Sequence, residues 1–163
     1  MLRILSHQMK SASTQHLMLS LQRPVSTPSL WLPLFLHRVP AGFPAVVSTE
    51  DDGTISLDEN LIQNPLATFF VRAGGNSMID AGIDAGDLLI VDKSLHAKQG
   101  DIVVADIGHE FTIKRLHLHG GMSLHPENHF ENYPILYPQP EQEWRMVGVV
   151  TYVIKSVHSS CMR

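Results

Sequence analysis

The sequence predicts a mainly β protein, a compact antiparallel β domain with short helical turns behind a flexible N-terminal arm. From Gly53 onward, short runs rich in β-branched and aromatic residues alternate with Gly, Asp, Asn and Pro, the punctuation of strands and turns. Five of the ten prolines crowd between Pro24 and Pro44. Each fixes its own φ, removes an N–H donor and biases its predecessor toward extended backbone, so that segment is no continuous helix. At 163 residues, 44% hydrophobic and 17% charged, the chain suits one globular domain with a modest core.

Residues 1–48 read as the arm. Within it "LRILSHQMKSASTQHLMLSLQ" has some helical character but few regularly spaced apolar positions. The β-rich domain occupies 49–163. Its expected strands are 67–72 (ATFFVR), 87–92 (DLLIVD), 101–107 (DIVVADI), 110–118 (EFTIKRLHL), 121–125 (GMSLH) and 145–155 (RMVGVVTYVIK). The Gly108-His109 step reads as a hairpin turn. The proline-rich arm leaves no room for the helices of a helix-turn-helix, so sequence-specific DNA binding is not expected.

Charge divides the chain at the same place. Residues 1–48 hold four basic residues (Arg3, Lys10, Arg23, Arg38) and no acidic one, whereas 50–163 hold sixteen acidic and eight basic, a net −8. An acidic body argues against a nucleic-acid clamp, because phosphate contacts need Lys and Arg. The acid-free, Ser- and Arg-containing start is also open to reading as an organellar transit peptide. Cys161 has no partner in the chain, which excludes an internal disulfide framework and fits a reducing, cytoplasmic compartment. "LWLPLFL" is too short to span a bilayer and contains a proline, so no membrane segment is expected.

Chemistry is carried by few residues. In "AGGNSMIDAGI", Ser77 follows two glycines and an asparagine. Ser77-x-x-Asp80 before an apolar residue is a capping box variant, with Ser77 as N-cap and Asp80 at N3. The same position suits a nucleophile, since unpaired backbone N–H groups at such a turn can hold an oxyanion. The candidate base is Lys114 in "EFTIKRLHL". On a strand, Thr112, Lys114, Leu116 and Leu118 share one face and Phe111, Ile113, Arg115 and His117 the other; neither is cleanly polar. Burial among apolar neighbours lowers a lysine pKa from about 10.4, and a neutral lysine can take a serine proton. The alternative is a lysine snorkelling from an edge strand. His117, His119, His125 and His129 lie close enough to suggest a metal, against a polar surface hairpin, with Glu127 the nearest carboxylate. No local signature of a Ser-His-Asp triad is present.

Gly75-Asn76-Ser77-Met78, with Lys114 thirty-seven positions on in "FTIKRL", resembles the Ser–Lys pair of the LexA/UmuD family of self-cleaving proteases. The likeness extends through "FFVRAGGNSMIDAGIDAGDLLIVD", "GDIVVADIGHEFTIKRL" and "VGVVTYVIK", roughly residues 33–157. It implies a β domain of the LexA/UmuD C-terminal type, no cofactor and no metal. The UmuD branch is resembled in particular, because "LPLFLHRVPAGFPA" looks like its cleavage-site region. The bond carried over is Ala41–Gly42, where UmuD proteins often have Cys-Gly. The resemblance implies Ser77 as nucleophile, Lys114 as base, and backbone amides at Asn76 and Ser77 as the oxyanion site. It further implies a homodimer, stimulation by a RecA filament on single-stranded DNA, and service of the trimmed chain to a UmuC-like Y-family DNA polymerase. Residues 1–20 match no part of the family pattern. Three other readings share the chemistry or the fold: a LexA-like or phage-type repressor fragment, a signal peptidase, and an inactive protease-fold binding module. The first lacks its DNA-reading helices, the second its membrane anchor, and the intact Ser77 and Lys114 speak against the third.

Overall fold

A computed structural model of the chain describes residues 27–34, 41–42 and 53–157. Among the described residues the elements run β1 (Trp31–Pro33), β2 (Thr54–Ser56), α1 (Leu57–Leu61), β3 (Thr68–Arg72), a 3-10 turn (Ile79–Ala81), β4 (Leu88–Asp92), β5 (Ile102–Ile107), β6 (Glu110–His117), β7 (Ser123–His125) and β8 (Trp144–Ile154). The architecture is mainly antiparallel β, as expected, and β3 to β8 fall within two residues of the six anticipated strands. Gly108 (φ 57) and His109 (φ 73) form the two-residue turn between β5 and β6, both with the positive φ that such a hairpin requires.

Six strands make one sheet in the order β3-β4-β8-β5-β6-β7. The last strand thus enters the middle, pairing antiparallel with both β4 and β5. Register shifts between Ile90 and Val91 and between Val104 and Ala105 bend it there, and bulges of this kind increase local twist. Successive β5 residues bury on opposite faces. Val104 joins a cluster with Phe69, Ala73, Met78, Ile83, Leu89 and Val91, while Val103 and Ala105 join Leu116, Leu124 and Val149. Covering both faces explains why β4 and β5 read as near-continuous apolar runs.

Two strands were not anticipated. Trp31–Pro33, from the arm, pairs antiparallel with Thr54–Ser56 to make a second, two-stranded sheet. Ser56, buried, caps α1 by accepting from the Glu59 N–H at 3.5 Å, and Ser29 Oγ donates to Asp58 Oδ2 at 2.8 Å, fastening that small sheet to the helix.

Candidate functional site

β3 ends at Arg72 and delivers the chain into the glycine-rich loop. Ala73 is buried and bonded at both ends: its N–H donates to Asp87 O at 2.9 Å and its carbonyl accepts from Gly86 N at 2.8 Å. Four residues beyond Gly74, Met78 is 2% exposed and packs into the first core cluster. Ser77 is thereby held on the wall of a cleft of about 510 Å³, whose lining includes Phe69, Val71, Val104, Phe111 and Ile113.

Lys114 comes to the same point from the interior of β6, flanked by β5 and β7, with Val103 as its cross-strand neighbour. The side chain is 7% exposed, and its Nζ lies 2.7 Å from Ser77 Oγ. It also contacts Thr112 Oγ1 at 3.0 Å and the Ile113 carbonyl at 3.1 Å. Desolvation lowers its pKa from the ordinary lysine value of 10.5. This geometry corrects the capping box. The helical turn starts only at Ile79, Met78 stands at its N-cap with no side-chain cap bond, and Ser77 faces Lys114 instead. A single 3-10 turn gains too little from one capped N–H to compete with a buried amine needing a partner. The snorkelling reading fails too, since β6 is not an edge strand and the amine is buried.

The segment after β7 braces the loop. The Glu127 N–H donates to Ser77 O at 2.8 Å, and its carbonyl accepts from Asp80 N at 2.9 Å. The Glu127 carboxylate takes a bidentate pair from Arg115, 2.7 Å from Nε and 2.9 Å from Nη2. Asn128 Nδ2 donates to Asn76 O at 2.8 Å, and His129 meets the Asp80 carboxylate through both its N–H and Nδ1, each at 2.7 Å. The Tyr133 hydroxyl donates to Glu131 Oε2 at 2.7 Å. The Ser77 N–H has no acceptor among the described residues.

Of the other candidates, the rings of His117 and His125 stack with centroids 3.8 Å apart, His125 Nε2 lies 3.0 Å from Ser123 Oγ, and His129 is taken by Asp80. Among the described residues no group of three or more His, Cys, Asp or Glu side chains converges on one point. No helix there is long and apolar enough to cross a membrane. Ala41 and Gly42 are exposed. Sequence reasoning missed Asn128 and named Glu127 only as the carboxylate nearest the histidines. Their only local signal is the turn composition of Pro126-Glu127-Asn128, which announces a turn and not what the turn touches.

A serine hydroxyl bonded to a buried, desolvated lysine in an apolar cleft defines a Ser–Lys site on an antiparallel β scaffold. Residues 33–151 match the Peptidase S24-like family, and the chain belongs to that family as a UmuD-like member. It is 43% identical to Protein SamA of Salmonella typhimurium over 139 residues, 85% of this chain and 94% of that protein. To Protein MucA of Escherichia coli it is 41% identical over 133 residues, 81% of this chain and 89% of that one. A LexA repressor of Paracidovorax citrulli is 38% identical over 128 residues, 78% of this chain and 55% of the repressor.

Proposed function

We propose that this protein is a cytoplasmic SOS mutagenesis protein that cleaves its own chain at Ala41–Gly42, and that the observation carrying this is the 2.7 Å contact between Ser77 Oγ and the buried amine of Lys114. A neutral amine has two N–H bonds and one lone pair. With Thr112 Oγ1 and Ile113 O accepting the two N–H bonds, the lone pair is left for the Ser77 hydroxyl. Lys114 takes the Oγ proton as Oγ bonds to the Ala41 carbonyl carbon. The oxyanion is held by the backbone amides of Ser77 and Asn76. Collapse breaks the C–N bond, and the Gly42 amine leaves with the proton from Lys114. A water, deprotonated by Lys114, then hydrolyses the Ala41 ester and restores Ser77.

Stimulation by a RecA filament on single-stranded DNA, a homodimeric state, and service of Gly42–Arg163 to a UmuC-like error-prone polymerase belong to the same reading, through the UmuD resemblance. Trimming removes a segment of charge +4 and leaves a body of −8, which changes the partners that electrostatics favours. The repressor reading is disfavoured by identity, 43% and 41% to SamA and MucA against 38% to the LexA repressor.

Intact-mass spectrometry at neutral and alkaline pH, with and without RecA, single-stranded DNA and nucleotide, tests the reading. The expected product begins at Gly42, forms faster at high pH, and is absent from Ser77→Ala and Lys114→Ala. No cleavage under any condition leaves a protease-fold binding module.

A further inference from the structure

The catalytic reading uses Ser77 and Lys114 but does not say what holds the backbone that must receive the oxyanion. The loop carrying it is glycine-rich, and Gly74, Gly75 and Asn76 are exposed. Such a segment samples many conformations unless something outside it fixes the peptide planes. The Asn76 carbonyl and the Ser77 N–H belong to one planar trans peptide unit and point in opposite directions. Whatever grips the carbonyl therefore aims the N–H.

Two groups grip it. The Ile79 N–H does so at 3.2 Å, and Asn128 Nδ2 does so at 2.8 Å from a segment 52 residues away. Asn128 is itself fixed from behind, because its Oδ1 accepts from Phe130 N at 2.8 Å and Glu131 N at 3.0 Å. Those two donors settle which end of the amide is oxygen and leave Nδ2 for Asn76. We propose that Asn128 is a positioning residue: by clamping the Asn76 carbonyl it aims the Ser77 amide at the oxyanion, and it touches no reacting atom itself. The neighbouring Glu127 N–H to Ser77 O bond fixes the next peptide plane, so the strap sets the loop on both sides of the nucleophile. This rests on the self-cleavage reading for its purpose, though the clamp can be measured without cleavage.

Asn128→Asp is the informative change. It keeps an oxygen for the Phe130 and Glu131 amides but sets a second acceptor against the Asn76 carbonyl. In a Ser77→Ala background, which leaves the chain intact, the backbone amide order parameter at residue 77 is expected near 0.85 and to fall toward about 0.6 when Asn128→Asp is added. In the Ser77 protein, Asn128→Asp should cleave about tenfold to a hundredfold slower at the alkaline plateau. That is short of the roughly 10²–10³ lost when an oxyanion donor is removed outright. The pH midpoint, which reports Lys114, should move only upward, because an added carboxylate favours the ammonium form. A rigid residue-77 amide in Asn128→Asp overturns the proposal, as does cleavage within about twofold of wild type or a midpoint shifted to lower pH. Asn128→Ala, which also drops the two caps, gauges structural loss; a rate defect that merely tracks melting temperature across the two variants overturns it as well. If the wild type itself does not cleave, the protease reading fails, while the order parameters still decide the clamp.

Discussion

Thr112→Val tests how Lys114 is held for its task. Valine keeps the shape of threonine and removes only Oγ1, the acceptor 3.0 Å from Nζ. One N–H of the neutral amine then has no partner, and the head group can turn an N–H rather than its lone pair toward Ser77. A hydrogen bond between neutral groups contributes about 1 kcal/mol, within a range of roughly 0.5–1.5. At about 1.4 kcal/mol per tenfold, the plateau rate of self-cleavage should fall about fivefold. The midpoint should move as well. Hydrogen bonds from a charged donor are about twice as strong as neutral ones, so Thr112 helps the ammonium more than the amine. Its removal lowers the pH at which the lysine deprotonates, in the same direction as the desolvation already present. The deficit should therefore narrow toward neutral pH. Intact-mass time courses from about pH 7 to 11 read both quantities, and Thr112→Ser should restore them. An unchanged plateau, or a midpoint displaced to higher pH, would falsify the arrangement of two N–H bonds and one lone pair.

Two further perturbations probe the frame around the site. In a double-mutant cycle of Arg115→Gln and Glu127→Gln by urea melts, the bidentate pair should show a coupling of about 1 kcal/mol, discounted for side chains 27% and 31% exposed. The Arg115 hydrogen bond holds the Glu127 pKa below its ordinary 4.5, so this contribution is fully present above that value and fades as pH falls through the folded value; coupling undiminished at pH 2 would contradict the assignment. Gly148→Ala should destabilise the fold by about 1–3 kcal/mol, because a Cβ there would lie 2.8 Å from Val91 Cγ1 and 2.9 Å from the Asp92 carbonyl where β8 crosses β4. At roughly 2–4 °C per kcal/mol for a chain of this size, a melting temperature lowered by less than about 2 °C would mean that the strands part more easily than the packing implies.

The sequence by itself determined the strands and the turn chemistry. β-branched runs such as Leu88–Asp92 and Ile102–Ile107 fit a pleated sheet whatever they later pair with, and Gly108-His109 specifies its hairpin through φ alone. It also made Ser77 and Lys114 a pair, through a spacing that matched a family pattern. Residues 77–80 alone gave an ambiguous answer. A capping box is a local pattern, and Ser77-x-x-Asp80 satisfies it on paper, but the hydroxyl went to an amine 37 residues away. The serine that does cap a helix is Ser56, at the start of α1.

What only the tertiary structure decided is non-local. β8 sits at the centre of the sheet, Trp31–Pro33 pairs with Thr54–Ser56, and Glu127 and Asn128 reach back to Ser77 and Asn76. Three-residue strands carry almost no periodicity, and a turn-forming asparagine looks the same whether its amide meets water or a carbonyl. The physical reason is common to all of them. Local pattern records the preferences of a residue's own backbone, whereas these contacts exist because burying both faces of one sheet brings distant loops together and leaves their polar groups to find one another.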